Sequence, residues 1–319
     1  MASGLPLEFE AAKVLVSLGH SVYADYSYYR LTQGHDLEFS VDIRATHVTP
    51  PPETSKDGCR LDTLVECKQR TRSVVWLFLP DVSSRGGHQK NDLVVGVDAF
   101  SKWSLTDLDW ATAPSGMHTC YKGIEVDMST GHVESAELRH GLLQLQFAMP
   151  VLLRARLDNR AISLGVSDNT PLLFSAVLLT NAPLFVARRD LSAATVERVK
   201  DVSELGQQVS YLLMRLPPSR DYFQHCQRHF AGFKEALTQK GIKAAEEHRK
   251  SQGIREWYLP SSFAARVSSA GEEIEAFADF SSVVICGIQY FRDLMTQYTA
   301  LSDRVGKAAV LQVPKYLRP

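Results

Sequence analysis

Excess charge of either sign is missing from this sequence: 35 Lys and Arg residues face 36 Asp and Glu, for a formal net charge of −1. A protein that coats nucleic acid through bulk charge is far more basic, so that class is excluded. Basic residues gathered on one face are not. Cysteine is scarce and scattered. Cys59, Cys67, Cys120, Cys226 and Cys286 are odd in number and form no CxxC, which argues for reduced, buried thiols over a disulfide or zinc framework. No GxxxxGK[ST], GxSxG or HExxH occurs, so ATP hydrolysis, serine hydrolysis and zinc proteolysis have no motif behind them. No apolar run approaches the length of a bilayer span, and Glu8, Glu10 and Lys13 interrupt the first apolar stretch. The expectation is a cytoplasmic protein without membrane contact. Internal repeats and low-complexity segments are missing too.

What remains is ordinary globular composition, 45% hydrophobic and 22% charged, enough for one large domain or two modest ones. In LPLEFEAAKVLVSLG, residues 5–19, the apolar positions Leu7, Ala11, Val14, Leu15 and Leu18 share one helical face, with Pro6 in the first turn and Gly19 as the stop. SVYADYSYYR and EFSVDIRATH read as strands. A proline-rich loop, THVTPPPETSKDG, leads into strands over residues 61–70 and 74–80. Residues 81–132 mix polar, glycine-containing pieces with short apolar ones and give no clear element. A helix follows over residues 134–156, with a kink expected at Pro150. Residues 172–189 read as strand, turn, strand; residues 221–250 and 289–305 read as helices, and SVVIC as a short apolar piece. Pro217-Pro218 is the best internal boundary, dividing residues 1–215 from a mostly helical 216–319, unless SVVIC is a further strand of the same sheet.

The chemistry sits in LVECKQR, residues 64–70. Residues two apart on a strand share a face, so Glu66 and Lys68 project together while Val65 and Cys67 pack the other way. Asp42 lies between Val41 and Ile43 on the preceding strand and is expected to face away from both. If those strands pair, Asp42 meets Glu66. Two close carboxylates disfavour their shared ionised state unless a cation joins them. Mg²⁺ (or Mn²⁺) suits such a site, since it needs only one or two carboxylates and keeps its waters. The main-chain carbonyl of Cys67 is within reach of the same position. Lys68 beside a metal and a phosphate can orient or help deprotonate an attacking water and stabilise growing charge. Metal-assisted phosphodiester hydrolysis is the chemistry this predicts.

These residues resemble the PD-(D/E)XK restriction-endonuclease-like superfamily. The likeness is nearest to its Mrr-type restriction endonucleases, through Phe9-Glu10 in the first helix, VDIRA in one strand and VECKQ in the next. The resemblance covers about the first 80 residues. It implies an α/β fold: a restriction-endonuclease-like core of one helix and then a mixed sheet flanked by helices, with an α-rich C-terminal part. It matches Asp42 to the motif aspartate, Glu66 and Lys68 to the E-x-K, Gln69 to the polar residue that follows, and Glu10 to the helix carboxylate. In that scheme Asp42, Glu66 and Glu10 hold metal, with Glu10 serving a second ion or its water shell. The later TNAPLFVARRD is similar to a strand pair that follows the helix in several such nucleases. The sequence departs from the family in three ways. The proline-rich insertion puts 24 residues between Asp42 and Glu66, only Gly34 and Asp36 remain of the glycine-rich run before the aspartate, and no proline precedes Asp42. Helical periodicity alone leaves Glu8 and Glu10 both at the edges of the buried face; the resemblance selects Glu10.

The resemblance implies a DNA-cleaving enzyme of restriction, phage defence or repair, acting as a homo-oligomer, with RNA also open as a substrate. The rival is a nuclease-fold subunit that is silent alone and docks on an NTPase or a DNA-reading protein. Other polar groups read more plainly. His225, Cys226 and His229 in HCQRH have metal-like spacing but no further ligands, so a solvated helix face is expected. Tyr23, Tyr26, Tyr28 and Tyr29 are expected to pack, and Arg70, Arg72, Arg154, Arg156, Arg188 and Arg189 to be paired or solvated one by one.

Overall fold

The computed structural model describes residues 4–32, 34–49, 59–81, 94–97, 117–162, 172–192, 194, 201–233, 277–278 and 280–311. Helix α1 (Leu5–Ser17) carries Pro6 in its first turn and buries Leu7, Ala11 and Leu15. It stops at Gly19, whose φ of 80° suits a residue without a Cβ. The His20 N–H donates to the Leu15 carbonyl and the Gly19 N–H to that of Val16, so the last carbonyls are satisfied. The chain then folds back as a long hairpin, β1 (Ser21–Thr32) and β2 (His35–Val48), with Gly34 in the turn at φ 83°. β3 (Arg60–Lys68) pairs antiparallel with β2.

After β4 (Val74–Pro80), residues 81–132, which give no clear pattern, hold β5 (Val95–Val97) and β6 (His118–Asp127); β7 (Val133–Glu134) then takes the first residue of the helix expected from 134. Helix α2 (Ala136–Ile162) runs on through Pro150. β8 (Leu172–Thr180) lies parallel to β3, and β9 (Leu184–Ala187) parallel to β4. The remaining elements are α3 (Val202–Leu205), β10 (Gly206–Val209), β11 (Tyr211–Arg215), α4 (Arg220–Phe230), β12 (Ser282–Gly287) and α5 (Ile288–Leu311). The helix expected over residues 221–250 is thus seen to Phe230; residues 234–250 lie outside the described residues.

Among the described residues, all strands join one mixed sheet of order β1-β2-β3-β8-β12-β11-β6-β4-β9-β10, with β5 on β8 and β7 on β6. The protein is therefore α/β, a large mixed sheet flanked by helices. Every residue of β8 is buried, because both faces of this central strand are covered. On one face α2 and α4 cover Leu64, Phe78, Phe174, Leu178 and Ile285. On the other, α1 and α5 cover Ile43, Val65, Val177, Leu179 and Val284. The boundary expected near residue 215 does not divide the sheet, because β12 inserts between β8 and β11.

Candidate active site

The β2–β3 ladder runs from Val48–Arg60 to Ile43–Val65, and the next step of the register sets Asp42 opposite Glu66. There the two side chains take over from the ladder. The Asp42 N–H donates to Glu66 Oε2 at 3.4 Å, and the Cys67 N–H donates to Asp42 Oδ2 at 2.7 Å. The strands part at this point because the hairpin changes face. Val41 packs in the α2 layer and Ile43 in the α1 layer, although strict alternation would put both on one side. The expectation that Asp42 turns away from both neighbours is therefore corrected. The same break occurs across the hairpin at Asp25, which has φ 50° and lies unpaired between the Ala24–Ile43 and Tyr26–Val41 pairs. A left-handed residue costs a non-glycine backbone on the order of 1 kcal/mol. Here it marks where the strand pair crosses from one layer to the other.

Glu66 and Lys68 share a face as the strand period requires, and Lys68 Nζ lies 2.8 Å from Glu66 Oε1. Glu66 is 2% exposed and Lys68 13%. β3 holds both firmly, since its other edge pairs with β8 through Glu66–Leu178 and Lys68–Thr180. The Thr180 hydroxyl also donates to the Lys68 carbonyl at 2.8 Å. Burial, and then the Asp42 charge, push the Glu66 carboxyl up to about 7 against the pull of Lys68. Burial raises Asp42 as well, outweighing the Cys67 N–H and Lys68. Two carboxyls that resist ionising side by side are what a divalent cation relieves.

The helix carboxylate at this site is Glu8, and the expectation for Glu10 is corrected. With Ala11 at the centre of the buried face, Glu8 lies about 60° and Glu10 about 100° around the helix. Glu10 is accordingly exposed, as is Phe9 at 66%, while Glu8 is half-buried. Burial raises the Glu8 carboxyl, with Asp42 and then Asp25 adding to the rise. A Cβ placed on Gly4 would meet Glu8 Oε1 at 2.8 Å and the Cys67 carbonyl at 4.0 Å, so the Glu8 carboxylate and the main-chain oxygen expected at the site both lie beside the start of α1. The Cys67 thiol packs in the α1 layer, away from the face that Glu66 and Lys68 share, and burial pushes its pKa up, leaving it an inert packing group. Gln69 stands just past the end of β3 with its amide oxygen buried and, among the described residues, without a hydrogen-bond donor.

Two residues of α2 complete the site, and no sequence pattern marks them. Gly141 lets the helix approach: a Cβ there would lie 2.9 Å from Lys68 Cε and 3.5 Å from Glu66 Cγ. Gln144, three residues on, accepts from Lys68 Nζ at 3.4 Å. Among the described residues no three His, Cys, Asp or Glu side chains converge on one point as a preformed metal cage. The donor set here is the Asp42–Glu66 pair with the Cys67 carbonyl, all oxygen, a set that suits Mg²⁺ without a third carboxylate.

Three of the six candidate arginines are held inside the protein, while Arg72, Arg188 and Arg189 are exposed. Arg70 pairs with buried Glu125 at 2.5 Å, and Arg156 reaches Asp62 with two bonds of 2.8 and 2.6 Å. Arg154 binds Asp158 and the His229 carbonyl. HCQRH is not a solvated face: His225 and Cys226 are buried against α2, and His225 Nε2 lies 2.8 Å from the Phe147 carbonyl. Burial holds His225 down to about 4, so it is a neutral core residue.

Comparison of the chain with protein-family models, with curated proteins and with solved structures gives no match. No helix among the described residues is long and apolar enough to cross a membrane.

Proposed function

We propose that this protein is a divalent-metal-dependent endonuclease that hydrolyses DNA phosphodiester bonds, with a PD-(D/E)XK restriction-endonuclease-like core formed by α1, β1–β3, α2 and β8. The observation that carries the reading is the crossed arrangement at the end of the β2–β3 ladder. There Asp42 and Glu66 each accept from the other strand's backbone, and Lys68 reaches Glu66 at 2.8 Å. Asp42, Glu66 and the Cys67 carbonyl would hold Mg²⁺ or Mn²⁺, with Glu8 alongside. Bound there, the ion supplies Lewis-acid polarisation of the phosphate and neutralises charge. Lys68 then orients the attacking water and steadies the charge that grows on the phosphate oxygens. Charged groups held in a buried site act more strongly than the same groups in water.

Cleavage of supercoiled plasmid, single-stranded DNA and RNA, with Mg²⁺, Mn²⁺ or EDTA, tests this with wild type beside Lys68→Ala. Cutting that needs metal and is lost in Lys68→Ala is the expected result. Because Glu66 keeps its proton up to about 7 while no metal is bound, and that proton must leave before a cation can bind, the Mg²⁺ concentration that gives half-maximal cutting is expected to fall as pH rises through about 7. A folded protein that cuts nothing under any of these conditions overturns the reading.

One observation favours the partner-dependent alternative. Arg70, Arg154 and Arg156 are tied up inside the protein, so grip on DNA falls to exposed residues such as Arg72, Arg188 and Arg189 and to a DNA-reading or NTPase partner or a second copy of the chain.

A further inference from the structure

Gln144 uses both ends of its amide. Its Nε2 donates to the Ser40 carbonyl at 2.8 Å, and its Oε1 accepts from Lys68 Nζ at 3.4 Å. This orientation is the one the surroundings permit. Turned over, the amide would aim its NH₂ at an ammonium and its oxygen at a carbonyl, two repulsive contacts in place of two bonds. Ser40 lies two residues before Asp42 on β2, so one side chain of α2 ties the strand of the aspartate to the head of the lysine. Lysine needs such a tie, because its four-carbon stem is flexible and its ammonium has no geometry of its own. Gly141 holds the stem from the same helix face. A Cβ there would come within 2.9 Å of Lys68 Cε and 2.7 Å of Leu178 Cδ1.

We infer that Gln144 is a positioning residue for Lys68: anchored on the Ser40 carbonyl, it fixes the ammonium beside Glu66 while leaving its charge intact. The inference rests on the nuclease function proposed for the site. A neutral acceptor suits the task. A carboxylate in its place would hold the ammonium more tightly, but would cancel the charge that the phosphate needs and would repel the Ser40 carbonyl. An apolar side chain of equal length would leave the ammonium with Glu66 alone.

The test uses the full chain as wild type, Gln144→Met and Gln144→Glu, each checked for an unchanged melting temperature and circular dichroism. Acylation of Lys68 by an amine-reactive reagent at fixed pH is followed by mass spectrometry, with Lys13 as internal standard. Single-turnover plasmid cleavage with Mg²⁺ is measured alongside. Gln144→Met is expected to speed acylation of Lys68 several-fold and Gln144→Glu to slow it, with Lys13 unmoved in both. Both variants are expected to lower the cleavage rate constant at least about tenfold, without a matching change in half-saturating DNA, as misplaced groups do. General loosening of the fold would speed labelling in both variants, so opposite signs identify positioning. Unchanged Lys68 acylation in both variants overturns the inference, and so does a loss confined to DNA affinity. Wild type that cuts no DNA sinks the nuclease function alone, and the acylation arm still decides whether Gln144 holds Lys68.

Discussion

Glu8 and Glu10 differ by about 200° around one helix, and that angle decides which of them can matter. Glu8 shares its surroundings with Asp42 and the Cys67 carbonyl, whereas Glu10 is exposed. Glu8→Gln is therefore expected to lower metal-dependent cleavage at least about tenfold, the scale of losing a group that supports a metal's ligands, while Glu10→Gln leaves it within about twofold. Plasmid-nicking rates of the two variants check this, and equal losses would remove Glu8 from the site. The E-x-K pair itself was legible from the sequence, because a strand period of two needs no tertiary information. Asp42 was legible as a residue but not in its orientation. Its placement depends on Asp25, which stands opposite it with a left-handed backbone, and composition gives no sign of that conformation. Gln144 could not be read at all, since LLQLQF offers two glutamines with nothing local to separate them.

Between elements, the joint that sets α2 against β3 is a buried charge. Asp62 is 0% exposed and is bound by Arg156 of α2, by Arg60 beside it on β3 and by Thr46 of β2. A carboxylate out of water is tolerated only while its oxygens are met. Removing one partner leaves much of its desolvation cost uncompensated. Arg156→Met is expected to destabilise the protein by about 3 kcal/mol in urea unfolding, and a loss under about 1 kcal/mol would show that Arg60 and Thr46 suffice. This joint also supports the site, because the same helix presents Gly141 and Gln144 to Lys68. Helix α1 and strands β3, β4 and β8 follow from local pattern alone. β10 and β11 do not, since GQQV and YLLMR are too short for a periodic signal, and pairing with β9 and β12 is what makes them strands.

In the whole molecule, the strand that closes the sheet comes late in the chain. β12 lies between β8 and β11, and α5 after it buries Phe291, Leu294, Met295, Tyr298, Leu301 and Val305 on the α1 face. At about 2 kcal/mol for each large apolar side chain, these six contribute on the order of 10 kcal/mol, comparable with the net stability of a typical domain. A chain ending at residue 215 is expected to lose cooperative unfolding and to expose apolar surface. A sharp thermal transition from residues 1–215 alone would contradict this.

The sequence by itself determined the α/β class, the strand that carries Glu66 and Lys68, the aspartate on the strand before it and the buried state of the cysteines. Each follows from periodicities of two and 3.6 and from the cost of burying charge. Tertiary structure alone decided that Glu8 and not Glu10 meets the site, that Gln144 and Gly141 frame Lys68, and that residues on either side of Pro217-Pro218 share one sheet. Those outcomes depend on how strands from distant parts of the chain pair and on where a helix comes to rest on them. Contacts between residues far apart in sequence leave no local pattern to read.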